Sequence, residues 1–91
     1  MTLHIQHLPE QHRFLAVVDG QSCVADYRLG NGLLAITHTE VPRALRGRGI
    51  AAALVQAALD HAARSELAVR AECSYAREYL RRHPSGAGAS A

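Results

Sequence analysis

The chain has 91 residues, 48% of them apolar and 20% charged, which suits one small soluble domain with a single modest core. No apolar run approaches the ~20 residues of a membrane-spanning helix, and no basic-then-apolar signal opens the chain. Cys23 and Cys73 are too few for a disulfide framework or an all-thiolate zinc site, so a cytoplasmic protein with two reduced thiols is expected.

In chain order, a weak strand is expected over residues 3–7. Residues 12–18 (HRFLAVV) are rich in strand formers and end at Asp19-Gly20, a two-residue hairpin signal. Residues 22–29 follow, with Cys23, Ala25, Tyr27 and Leu29 on one face and Val24, Asp26 and Arg28 on the other. Gly30-Asn31-Gly32 makes a further turn, and residues 33–41 form a strand closed by Pro42. The first half is therefore an antiparallel meander.

From Ile50 the period changes. Ile50, Ala51, Leu54, Val55, Ala58, Leu59 and Ala62 make one apolar stripe at helical spacing, with Asp60 and Arg64 set to pair across a turn. A short strand is expected over 67–71. Ser74 then reads as the N-cap of a helix reaching about His83, with Pro84 as its stop. Residues 85–91 carry no side chains able to build a core, and a disordered tail is expected there, leaving residues 1–84 as the domain. The order β-β-β-β-α-β-α gives an α/β class with a mixed sheet. Its crossover makes strands 33–41 and 67–71 parallel neighbours.

All ten basic residues are arginine, and against eight acids they leave a net charge of +2. So small an excess does not suggest a protein that lives on nucleic acid, and the arginines lack interleaved aromatics. A GC-rich coding bias accounts for arginine without lysine, whereas the cluster Arg43, Arg46 and Arg48 needs an account of its own. Arg46-Gly47-Arg48-Gly49-Ile50-Ala51 lies between a strand and a helix. There glycines permit close backbone approach and the first helical turn offers free N–H groups, which together make an anion site with phosphate as the usual guest. A Walker loop is excluded because it needs lysine. The dinucleotide fingerprint Gly47-x-Gly49-x-x-Ala52 fits poorly, since residues 42–46 separate strand from glycine and no second nucleotide-binding half follows. The acetyl-coenzyme-A loop, [Gln/Arg]-x-x-Gly-x-[Gly/Ala], is matched by Arg46-x-x-Gly49-x-Ala51.

Together, His38-Thr39-Glu40-Val41-Pro42, then Arg46 through Ala51, and finally Cys73-x-Tyr75-x-x-x-Tyr79 resemble the short GNAT N-acetyltransferases that carry an active-site cysteine. The resemblance spans about residues 12–84. It implies a GNAT-like fold with a CoA cleft, and an acetyl-CoA-dependent transfer to an amine that the family leaves undefined, a protein or other macromolecule included. By the same resemblance, the loop N–H groups of Arg46, Gly47, Arg48, Gly49, Ile50 and Ala51 hold the pyrophosphate. Thr39 and Val41 pair with the pantetheine arm, and Cys73 carries the acetyl group. The alternative from another class is a CoA-binding or acyl-sensing module without turnover.

Cys73 also has an argument from its position, since a helix start stabilises a thiolate; a small core residue is the plain alternative. His38 and Glu40 share one strand face, and either could accept a proton from an incoming ammonium. Tyr79 is a candidate proton donor to the departing CoA thiolate, while Tyr75 is expected to pack on the sheet. No histidine spacing matches a zinc motif, and no metal or membrane partner is expected.

Overall fold

Two tight turns set the register of the sheet. Asp19 and Gly20 both have positive φ (51° and 74°), as do Asn31 and Gly32 (54° and 75°). That is the two-residue mirror-image turn whose twist suits a hairpin, and Asp-Gly and Asn-Gly are the pairs that tolerate it best. The computed structural model describes residues 3–83; Pro84 and the tail of residues 85–91 lie outside the described residues. Strands β1 (Ile5–Leu8), β2 (Arg13–Val18), β3 (Gln21–Gly30) and β4 (Leu33–Glu40) form an antiparallel meander. Helix α1 (Ile50–Arg64) then crosses to β5 (Ala68–Ala71), which pairs parallel to β4, and helix α2 (Ser74–Arg82) follows. The strand order β1-β2-β3-β4-β5 is the expected mixed sheet.

One irregularity interrupts β4. Tyr27 faces Ile36 and Asp26 faces His38, so Thr37 is an extra residue in a bulge, its hydroxyl donating to the Asp26 carbonyl at 3.3 Å. The bulge shifts the phase of the strand. Before it, Leu34 and Ile36 share the face of Tyr27; after it, Thr39 shares the face of Ala25, while His38 and Glu40 turn to the opposite face.

Both helices lie on the first of these faces. Ile50, Leu54, Val55, Ala58, Leu59 and Ala62 are buried along α1 against Phe14, Ala16, Cys23, Ala25, Leu34 and Ile36. Each large apolar side chain buried there is worth roughly 1.5–3 kcal/mol of transfer free energy. From α2 the core takes Ala76, with Tyr79 and Leu80 packed at its margin. Cys23 is fully buried in this core, and burial raises its thiol pKa, which leaves it a small apolar residue.

Leu29 shares the face of Tyr27, as its pairing with Leu34 shows, and stands 43% exposed near the β3–β4 turn. Two local expectations are corrected. Asp60 accepts a hydrogen bond from Gln56 Nε2 at 2.9 Å, one turn toward the N-terminus, instead of pairing with Arg64. The N-cap of α2 is Cys73 and not Ser74, which is already helical; the Cys73 sulfur accepts from the Ala76 N–H at 3.4 Å. The end of α1 carried no signal at all: Glu66 adopts the left-handed conformation (φ 57°) usually given to glycine, while the Leu67 N–H reaches the Ala62 carbonyl at 2.8 Å.

β1 is held to α1 through His7, whose ring stacks on Phe14 at 4.3 Å and lies 4.4 Å from the ring of His61. Its Nε2 meets the Tyr27 hydroxyl, and Asp60 and Arg64 border the same hollow. Burial, then His61, then Arg64 push the His7 pKa below the ordinary ~6.5. The unfolded chain thus takes up this proton first as pH falls, so stability decreases below about pH 6.5 until the folded-state value is passed. The urea midpoint should fall between pH 7.5 and pH 5, and His7→Phe should reduce that fall.

Candidate functional site

β4 and β5 run together only as far as Ile36 and Ala71. There the Ile36 carbonyl accepts two N–H groups, from Glu72 at 2.8 Å and from Cys73 at 3.3 Å, and the two chains part. Beyond this fork β4 keeps its partner β3 on one edge only, and a cleft of about 770 Å³ opens along the other. β4 contributes His38, Thr39 and Glu40 to its lining, and Val41 follows them. Pro42 then ends the strand, because it has no N–H to offer a ladder.

A short 3₁₀ turn, Arg43–Leu45, carries the chain round the mouth, and Leu45, Arg46 and Gly47 continue the wall. Gly47 and Gly49 both have positive φ (83° and 81°), and a side chain at either would point into open space. Glycine is therefore required by backbone conformation and not by crowding. Gly49 is the N-cap of α1 and supplies no side-chain acceptor. The N–H groups of Gly47, Arg48, Gly49, Ile50, Ala51 and Ala52 consequently have no backbone partner among the described residues. Six such donors at the positive end of a helix of 15 residues are what an anion needs, and Gly47, Gly49, Ile50 and Ala51 of this stretch line the cleft.

The two flanking arginines are placed differently. Arg46 lines the cleft, its Nε donating to the Val41 carbonyl at 3.1 Å, while Arg48 reaches away to Asp19 in the β2–β3 turn at 3.3 Å. Both stay exposed, so these contacts are exchangeable at little energetic cost.

Across the cleft stands the start of α2. Cys73 lies at the fork beside the core and flanks the cleft without lining it. Tyr75, expected to pack on the sheet, instead projects 37% exposed into the cleft wall. Its selection was illegible in the sequence, because helical spacing relates Tyr75 to Tyr79 without saying which faces the strand. Tyr79 turns toward α1, its hydroxyl donating to Gln56 Oε1 at 2.6 Å and its ring stacking on His83 at 4.2 Å.

On the open face of the sheet, His38 Nε2 lies 3.3 Å from Glu40 Oε1, both well exposed. Asp26 opposite is engaged by Arg13 through two hydrogen bonds. Glu72 accepts two from Arg28, whose guanidinium holds its carboxyl below the usual carboxylate range. His38 and Glu40 thus contact each other, and Glu40 also acts through space on Arg13. Among the described residues no group of three or more His, Cys, Asp or Glu is placed to hold a metal ion, and no helix is long and apolar enough to cross a membrane.

Residues 13–88 match the family described as GCN5-related N-acetyl-transferase. Protein NATD1 of Gallus gallus is 33% identical over 85 residues, covering 90% of this chain and 77% of that protein. Protein NATD1 of Homo sapiens is likewise 33% identical over 85 residues, covering 90% and 75%. A solved GCN5-like protein from Staphylococcus aureus superposes with a TM-score of 0.74 at 29% identity, covering 92% of this chain and 83% of its own.

The Tyr79–Gln56 bond ties the two helices together. Tyr79→Phe should lower unfolding free energy by about 1 kcal/mol, and Gln56→Ala by a similar amount, with the double variant little worse than either. Urea denaturation of the three proteins measures this.

Proposed function

Because the chain belongs to the GCN5-related N-acetyltransferase family, we propose that its cleft takes acetyl-CoA and that the protein transfers the acetyl group to an amine. The observation that carries the proposal is the glycine turn: six N–H groups without backbone partners close one end of a cleft whose long wall is a half-paired strand. A pyrophosphate joined to a slender amide-bearing arm fits that pair of features. The anion lies on the N–H groups of Gly47 through Ala51, with Arg46 and Arg48 adding charge once they leave Val41 and Asp19. The arm extends along β4 as an added strand and pairs with the backbone of Thr39 and Val41. Its thioester end then reaches the fork.

There the chemistry is nucleophilic substitution at the thioester carbonyl. An amine attacks only when neutral, and His38, steadied by Glu40, takes its proton. The C–N bond forms as the C–S bond breaks, and the released CoA thiolate takes up a proton. An alternative route passes through Cys73. Its sulfur caps α2, accepting the Ala76 N–H at 3.4 Å. Thioester exchange moves the acetyl group to this sulfur and frees CoA thiolate; attack by the amine then restores the Cys73 thiolate. Tyr79 could protonate the leaving thiolate only after giving up Gln56. His38 and Glu40 are exposed on a sheet face that neither helix covers, which favours an acceptor presented from outside, such as a chain terminus or side chain of another macromolecule.

Incubation with labelled acetyl-CoA followed by an amine panel tests transfer. Acetyl mass should appear on the Cys73 peptide and be discharged by amines. Cys73→Ser should keep the helix cap, and so the fold, while losing the label and at least about tenfold in rate. Undiminished transfer by Cys73→Ser would leave direct attack as the route. Tight CoA binding with no transfer to any amine would favour a CoA-binding or acyl-sensing module.

A further inference from the structure

We infer that Tyr75 sets the acyl-chain length that the cleft accepts, restricting it to short-chain thioesters; the inference deepens the proposed CoA binding and rests on it. Four observations converge on this residue. First, Tyr75 is the α2 side chain that lines the cleft together with residues 38–41 at the end of β4. Second, it lies at the acyl end. α2 starts one residue after Cys73, whose N–H is bonded to the Ile36 carbonyl at the fork, whereas the glycine turn lies beyond Pro42 at the other end. Residues 37–41 separate the two ends by roughly 13 Å of extended strand.

Third, the ring has an aromatic neighbour. Its centroid lies 6.5 Å from that of Tyr79, and Tyr79 is itself held by Gln56 at 2.6 Å and by His83 at 4.2 Å. A ring with such a neighbour on one side has less room to retreat from a ligand. Fourth, Tyr75 is the bulkiest apolar group in the lining, where Val41, Leu45, Ile50 and Ala51 are its apolar companions. A two-carbon acyl group reaching the fork ends beside the ring. A longer chain continuing along the α2 side of the cleft meets the ring.

Isothermal titration of CoA, acetyl-CoA, butyryl-CoA and octanoyl-CoA against the whole protein tests this without needing an acceptor. Wild type should prefer acetyl-CoA over octanoyl-CoA by at least about tenfold, and Tyr75→Phe should keep that ratio. Tyr75→Ala should erase most of the preference while leaving affinity for CoA itself within about threefold, since the phosphate contacts are remote. Tyr75→Leu, which keeps apolar packing on Tyr79, should relax it in the same direction and serves if the alanine variant does not fold. An unchanged acetyl-to-octanoyl ratio in the folded small-side-chain variants would overturn the role of Tyr75 alone. So would equal wild-type affinity for all chain lengths. Absence of binding by any CoA species would overturn the proposed function and this inference with it.

Discussion

The carbonyl of Ile36 takes the N–H groups of both Glu72 and Cys73, and with that shared acceptor the parallel pairing of β4 and β5 stops. Everything distinctive about the molecule lies downstream of that fork. β4 goes on to Glu40 with one edge bare, so polar backbone borders a cleft where a fifth strand would otherwise continue. β5 is followed instead by Cys73 and the first turn of α2, which put a sulfur beside the fork and an aromatic ring in the cleft wall. A sheet seldom leaves a strand edge open without covering it. Here the open edge is short, ends at Pro42 and lies inside a cleft, so it is available to a ligand of strand-like shape while shielded from another sheet.

The bulge at Thr37 is the second determinant. Without it, strict alternation would carry His38 and Glu40 onto the helix-covered face with Leu34 and Ile36. One extra residue reverses the phase and delivers both to the uncovered face, next to the fork, while Thr39 turns toward the core side. The fold thus separates two tasks. In the proposed reading, holding a ligand falls to backbone, through the bare edge of β4 and the uncapped start of α1, while polar side chains on the open face are left for proton transfer. Both helices lie on one face and leave the other without a layer, which is how so short a chain keeps a substantial cleft and a core together.

Much of this was legible in the sequence, for identifiable reasons. Asp19-Gly20 and Asn31-Gly32 specify mirror-image turns through their tolerance of positive φ, so the meander and its register followed directly. The stripe from Ile50 to Ala62 fixed the buried face of α1, and Gly47 and Gly49 marked a left-handed backbone turn between β4 and that helix. What stayed hidden depended on contacts distant in sequence or on non-standard residues. Glu66 closes α1 in a glycine's conformation, and a sulfur replaces the usual hydroxyl at the cap of α2. Tyr75 and Tyr79 are equivalent by spacing, and only the presence of Gln56 on the neighbouring helix sends one inward and leaves the other in the cleft. No local pattern signals the bulge, because Thr37, Thr39 and Val41 all suit a strand in either phase.

The central claim is that the uncapped helix start and the bare edge of β4 together form one ligand site. Backbone amide NMR during a titration with CoA addresses this residue by residue. The amides of Gly47, Gly49, Ile50 and Ala51 should shift together with those of Thr39 and Val41, saturating along a single binding curve, while β1 and β2 remain still. Shifts confined to exposed arginine-bearing loops, or an unperturbed glycine turn at saturating CoA, would contradict it.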